Sequence, residues 1–214
     1  MNIKEAQKTL AEIIQEATSK GPTLVLLSGG STVKISSKIF ENLSDTQWGN
    51  LRITLTDERY GAYNHPDSNW KQLLESGLNA PETSCIPVLS PRQLDRETTA
   101  KLFAKNLDNL LKNCNQVIGF FGIGLDSHIA GILPGSSAVS EAGIVSDFDG
   151  GKFQRITIAP PFFNRITKGI IYAEGSAKAD VFEMLSEDLP EDDYPDQLIK
   201  RCQSYTLMYN EEGL

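Results

Sequence analysis

Apolar residues recur at helical spacing at the start of the chain: Ile3, Ala6, Leu10, Ile13, Ile14 and Ala17 mark one face of a helix that Gly21-Pro22 closes. A short apolar run over 23–27 then predicts a buried strand. The turn Ser28-Gly29-Gly30-Ser31-Thr32 leads from it into a second helix. The alternation continues along the chain. A strand is predicted over 51–56, ending at Asp57-Glu58-Arg59, and Pro66-Asp67-Ser68 opens a helix that runs to Ser76. A further strand is predicted over 85–89. A long helix follows over 91–112, with Leu94, Thr98, Leu102, Leu107 and Leu110 or Leu111 on its inner side. Strands are predicted over 117–121, 155–158, 169–173 and 205–209, and a helix over 177–186. The acidic run 187–196 reads as a solvated loop with a turn at each proline.

Strands spaced by helices imply an α/β fold: a Rossmann-like, doubly wound, mostly parallel sheet with helices on both faces. In such sheets ligands bind beyond the carboxyl ends of the strands. The 214 residues, 40% of them hydrophobic, suit one domain over 1–214. No stretch approaches the roughly 18 apolar residues of a membrane span. The N-terminus carries no basic-then-apolar signal pattern, so a cytoplasmic protein is expected. Cys85, Cys114 and Cys202 are scattered and odd in number, which suggests neither a disulfide framework nor a zinc site. A net charge of −8 argues against nucleic acid or an anionic membrane as partner. An acidic protein that binds an anion must concentrate positive charge locally.

Candidate chemistry gathers at the predicted strand ends. The segment Gly122-Ile123-Gly124-Leu125-Asp126-Ser127-His128 follows a buried strand and delivers a carboxylate and one of the chain's two histidines to one spot. Such a pair suits a general base, although a Gly-rich turn with an incidental histidine has the same spelling. In Ser28, Gly29, Gly30, Ser31 and Thr32, the glycines allow backbone N–H groups to approach an anion at a helix start; a plain helix cap is the alternative. This turn has neither Walker A nor G-x-G-x-x-G spacing. Asp57 falls at a strand end, and Arg59 offers a planar fork of donors, or a surface salt bridge. Arg155 starts another strand. Lys178 lies in the first turn of a helix, where a cation opposes the dipole unless an anion offsets it.

In order and spacing these segments resemble the 6-phosphogluconolactonase and glucosamine-6-phosphate isomerase/deaminase family. The family pattern runs S-G-G-S/T-T-P, D-E-R/Y, H-P-x-S-N, G-x-G-x-D-G-H-I/V-A, P-G-S, R-V/I-T and G-x-x-K-A. This chain carries Ser28-Gly29-Gly30-Ser31-Thr32, Asp57-Glu58-Arg59, His65-Pro66-Asp67-Ser68-Asn69, Gly122 through Ala130, Pro134-Gly135-Ser136, Arg155-Ile156-Thr157 and Gly175 through Ala179. The lactonase branch is the more similar. Deaminases usually carry D-E-Y and a ring-opening Glu in H-I-A-F-N-E-P, whereas this chain has Arg59 and reads His128-Ile129-Ala130-Gly131-Ile132-Leu133-Pro134. The chain departs from the family at Val33 for proline, at Ser127 for the glycine of D-G-H, and at Gly61-Ala62 for V-P. The resemblance implies hydrolysis of 6-phosphogluconolactone; that chemistry requires no metal or other cofactor, and a monomer is expected. The same resemblance implies catalytic roles for His128, Asp126, Arg59 and Asp57, and a phosphate site at 28–32 with Arg155 and Lys178. A deaminase or isomerase, or a sugar-phosphate sensor without catalysis, is the alternative.

Overall fold

The structure, a computed structural model, describes residues 1–211. The elements in chain order are α1 (Ile3–Lys20), β1 (Thr23–Leu27), α2 (Val33–Ser36), α3 (Asp45–Asn50), β2 (Leu51–Leu55), β3 (Asp57–Arg59), α4 (Asn69–Glu75) and α5 (Arg96–Asn113). They continue with β4 (Gln116–Phe121), β5 (Val145–Asp149), β6 (Gln154–Ile158), α6 (Pro160–Phe163), β7 (Lys168–Glu174), α7 (Ala179–Met184) and β8 (Tyr205–Asn210). Short 3₁₀ turns at Gly30–Thr32, Glu82–Ser84, Ser176–Lys178 and Pro195–Arg201 join them. No helix among the described residues is long and apolar enough to cross a membrane.

Five strands form a wholly parallel sheet in the order β2-β1-β4-β7-β8. Every side chain of β1 is buried, as expected for a central strand covered on both faces. From β1 the chain moves first to one side, to β2, and later to the other, to β4. The ends of β1 and β4 therefore flank the crevice where the winding reverses. Register then sets depth. Leu27 pairs with both Leu55 and Phe120, so β1, β2 and β4 finish level.

A second sheet, of three antiparallel strands in the order β3-β6-β5, stands at that edge. It corrects the sequence reading in two places. The strand over 155–158 pairs with β3 and not with the main sheet, and β5 was unread because Val145-Ser146-Asp147-Phe148-Asp149 has too few apolar residues to signal a strand. The strand predicted over 85–89 reduces to one bridge, Ile53 to Cys85. Pro87, with no N–H, cannot extend it.

Helices match the sequence pattern in kind more than in limits. In α1, Ala6, Leu10, Ile14 and Ala17 face the core, and Asn2 with Glu5 makes a capping box. α5 begins only at Arg96, where Asp95 accepts the N–H of Thr98 at 2.8 Å. Its inner face is Thr99, Ala100, Phe103 and Leu107, while Leu102 and Thr98 are exposed. Burying Phe103 removes more apolar area than burying Leu102, and that fixes the helix rotation. The helix predicted over 177–186 starts as a 3₁₀ turn and is regular only over α7. The acidic run 187–196 is not a solvated loop throughout, because Pro195 and Asp196 are buried.

β4 ends on Phe121, whose ring stacks on Phe163 of α6 with centroids 5.4 Å apart; both rings are fully buried. This contact joins the main sheet to the helix behind it. Phe121→Ala is expected to cost about 3–5 kcal/mol in urea unfolding. A loss below about 1 kcal/mol would show that the pair does not hold this end of the sheet.

Candidate active site

Three level strand ends build the floor of one cleft of about 240 Å³. Beyond β1 and β2, the hydroxyls of Ser28 and Thr56 meet at 2.8 Å and tie the two ends together. Ser28, Gly29, Gly30 and Ser31 line one wall. Gly30 has φ +70, a conformation that favours glycine. At Gly29 a Cβ would collide with the Asn69 amide, so glycine is what lets Asn69 reach the cleft. Thr32 does not reach it: the residue is fully buried, and its hydroxyl donates back to the carbonyls of Ser28 and Gly29. Its role in the turn is structural.

The segment beyond β4 carries the His–Asp pair. Nδ1 of His128 lies 2.6 Å from Oδ1 of Asp126. Partial burial alone pushes the Asp126 carboxyl up; the charge and hydrogen bonds of His128 outweigh this and hold it below the usual range. Asp126 is therefore ionised at neutral pH, and a carboxylate can only accept. In the neutral imidazole that assigns the proton to Nδ1 and leaves the lone pair on Nε2; His128 lines the cleft wall. A Cβ at Gly124 would strike both His128 Nδ1 and Asp126 Oδ1. Absence of a side chain at 124 is thus a condition for the pair.

Antiparallel pairing of β3 with β6 sets Arg59 directly opposite Arg155. Like charges opposite one another are unfavourable, and three features offset this. Asp57, itself buried, lies 3.4 Å from Arg155 Nη1. The Phe153 ring sits 5.1 Å from the Arg59 guanidinium carbon and 5.7 Å from that of Arg155. Arg59 Nη1 donates to the Asp67 carbonyl at 2.9 Å. Compensation is incomplete: Nε of both arginines is buried with no acceptor. Burial lowers the Arg155 pKa, with Asp57 opposing and Arg59 adding to the shift. Lys178 closes the ring of cations. Burial lowers its pKa too, opposed by Glu174, and neither Lys178 nor Arg59 has an ion-pair partner among the described residues.

All of the candidates Ser28, Gly29, Gly30, Ser31, Asp57, Arg59, His128, Arg155 and Lys178 line this one cleft, and Asp126 stands behind His128. Three further residues, present in the motifs, are not assigned to the site by the sequence. Asn69 lines the cleft with its Oδ1 buried and unpartnered, while its Nδ2 donates to the Asp57 carbonyl at 2.9 Å. Gly131, at φ +69, leaves no room for a Cβ, which would lie 2.6 Å from Asp57 Oδ2. Glu58 is fully buried and accepts from the backbone N–H groups of Asn69 and Trp70 at 2.7 and 3.1 Å. It anchors the start of α4 and so fixes Asn69. Burial raises its pKa against the pull of these hydrogen bonds. The spacing of Glu58 to Asn69 carries no signal of its own, because the contact is tertiary.

Comparison with known proteins agrees with this geometry. The model of the family described as glucosamine-6-phosphate isomerases/6-phosphogluconolactonase matches residues 1–208. A probable chloroplastic 6-phosphogluconolactonase 4 of Oryza sativa subsp. indica is 28% identical over an alignment of 190 residues that covers 80% of this chain and 59% of the rice protein. The chain therefore spans about three fifths of that relative's length. A 6-phosphogluconolactonase of Nostoc sp. is 28% identical over 198 residues, covering 85% of this chain and 79% of its own. Among solved structures, 6-phosphogluconolactonase from Thermotoga maritima superposes with a TM-score of 0.81 at 18% identity, covering 96% of this chain and 95% of that one. The enzyme from Trypanosoma brucei gives 0.77 at 23%, covering 96% and 91%. These structures share the fold, the α/β arrangement expected from sequence. With a sequence model matched across nearly its whole length, the chain belongs to the glucosamine-6-phosphate isomerase/6-phosphogluconolactonase family.

Proposed function

We propose that the protein hydrolyses 6-phosphogluconolactone to 6-phosphogluconate, the lactone-opening step of the oxidative pentose phosphate pathway. The observation that carries this reading is the pairing, in one small cleft, of a carboxylate-oriented imidazole with three cations that lack sufficient counter-charge. A phosphorylated lactone supplies what both halves need: a dianion for the cations and a carbonyl for the base. The names of the relatives support the same choice. A cytoplasmic monomer, one domain long, remains the expectation.

His128 Nε2 takes a proton from water as the water oxygen bonds to the lactone carbonyl carbon. The carbonyl π pair moves onto oxygen, giving a tetrahedral oxyanion. Arg59, with its unsatisfied Nε, is the donor assigned to that charge, preorganised by the Asp67 carbonyl and Phe153. Collapse of the intermediate breaks the bond to the ring oxygen, and the proton held by His128 passes to it. Asp126 keeps the imidazole in one tautomer and stabilises its charged form. Asp57 and Asn69 face the sugar hydroxyls, Asp57 as acceptor and Asn69 through its free Oδ1. The phosphate is assigned to Arg155, Lys178 and the amides of 29–31. Ser127 is not a nucleophile in this scheme, since it is buried behind the His–Asp pair.

Freshly made lactone followed by pH-stat is expected to open faster with the protein than without it. His128→Ala should lose about 10²–10⁴-fold in kcat. No acceleration by the native chain would end the reading, and ammonia release from glucosamine 6-phosphate would assign it to the other branch of the family. Lys178→Ala should raise KM about tenfold or more with kcat changed less, as for a contact made equally in ground and transition states. Equal loss in kcat would move Lys178 to the reacting centre. Gly124→Ala should lower kcat at least about 10²-fold, since displacement of the base by ~1 Å is enough for that loss. Native-like activity would show that the His–Asp contact is dispensable.

A further inference from the structure

Arg59 lies on the edge of its sheet. β3 is an outer strand of the order β3-β6-β5, and the Tyr60 N–H, one residue on, donates to the Gln154 carbonyl at 2.8 Å. Bonded and unbonded positions alternate along an antiparallel pair. The N–H and carbonyl of Arg59 itself therefore face away from β6, and both need a partner from elsewhere. The N–H donates to Glu58 Oε1 at 2.8 Å. The carbonyl pairs with Nε2 of His65 at 2.8 Å, and because a carbonyl only accepts, that nitrogen carries a proton. The chain's other histidine thus grips the backbone of the residue assigned to the oxyanion, while lining no part of the cleft itself.

The loop after β3 places this ring by its own turns. The His65 N–H donates to the Ala62 carbonyl at 3.0 Å, and the His65 carbonyl accepts the Ser68 N–H at 3.0 Å. Asn64, just before the ring, has φ +61, a left-handed conformation that asparagine adopts more readily than most residues. Two residues after His65, the Asp67 carbonyl takes the N–H of Arg59 Nη1. One loop therefore holds Arg59 at its backbone and at its guanidinium. Gly61 supplies the space for the ring. A Cβ at 61 would lie 2.9 Å from Cδ2 and 3.0 Å from Nε2 of His65. Gly61 is not among the glycines of positive φ, so a side chain there is opposed by lack of room and not by the backbone.

We infer that His65 is a positioning residue that fixes Arg59 by donating to its carbonyl, and that the bare backbone at Gly61 is the condition for that bond. The kinetic side of this inference rests on the lactonase reading; the structural side does not.

Substitutions that remove, keep or displace the ring N–H test it. His65→Ala is expected to lower kcat about tenfold with KM within about twofold, since the oxyanion donor shifts but is not lost; its outright loss costs about 10²–10³-fold. His65→Met fills the space without a donor and should lose as much. His65→Gln keeps an N–H at nearly the reach of Nε2 and should stay within about threefold of native kcat. Gly61→Ala should lower kcat about tenfold in the native background and by less than about twofold where His65 is already alanine, because the ring it would strike is gone.

Two resonances report without substrate. The Nε–H signal of Arg59, assigned by Arg59→Lys, should move in His65→Ala and His65→Met and stay in place in His65→Gln. Ring signals of His65, told from those of His128 by a His128→Gln variant, should move in Gly61→Ala. Native kcat and an unmoved Arg59 signal in His65→Met, or a loss in His65→Gln equal to that in His65→Met, would overturn the inference. Equal loss for Gly61→Ala in both backgrounds would do the same. Absence of lactone hydrolysis in the native chain would refute the assigned reaction and leave the Arg59 and His65 signals to decide the positioning role.

Discussion

The level ending of three parallel strands is the constraint on which the rest depends. Leu27 pairs at once with Leu55 and Phe120, and one residue later the Ser28 and Thr56 hydroxyls join. A shift of one residue in either pairing would move the Ser-Gly-Gly turn by about 3.3 Å relative to its neighbours and invert the buried faces. The buried side chains of β1 forbid that shift. Core packing thereby sets the distance between chemical groups that never touch one another.

Around this floor, charge is distributed in a way that folding alone does not favour. Arg59 opposite Arg155, a half-buried Lys178, an unpartnered Asn69 Oδ1 and buried Glu58 each oppose stability in the free protein. Their costs are met locally by Phe153, by Asp57 and by the start of α4, but not in full. A cleft kept in this state is preorganised for an anionic, hydroxylated ligand, because its donors need not reorient when the ligand arrives. Behind the wall, Ser127 carries a left-handed backbone conformation and Asp196 a buried carboxyl, both close in the fold to His128.

How much of this was legible in the sequence depended on range. Strand ends and Gly-rich turns are local signals that nominated Ser28, Gly29, Gly30, Ser31, Asp57 and His128, and the family resemblance favoured ligand contact over plain turns and caps; all six line the cleft. The opening helix was read almost residue by residue from its apolar repeat. What lay beyond reach was tertiary. The antiparallel sheet that sets Arg59 against Arg155 joins residues nearly a hundred positions apart, and β5 has no apolar run to announce it. Thr32 looked like a donor to ligand because its hydroxyl, from sequence, has no visible engagement with Ser28 and Gly29. Asp196 looked like solvent-facing charge because eight of the ten residues from 187 are acidic or proline in a turn-rich run, a composition that hides one carboxyl folded inward.

The claim that one small molecule bridges the imidazole and the cations is tested most directly by the structure of the protein bound to 6-phosphogluconate. The account predicts the product carboxylate within hydrogen-bonding distance of His128 Nε2, with the phosphate against the amides of 29–31, Arg155 and Lys178. A phosphate lying beside His128, or a ligand seated outside this cleft, would contradict it.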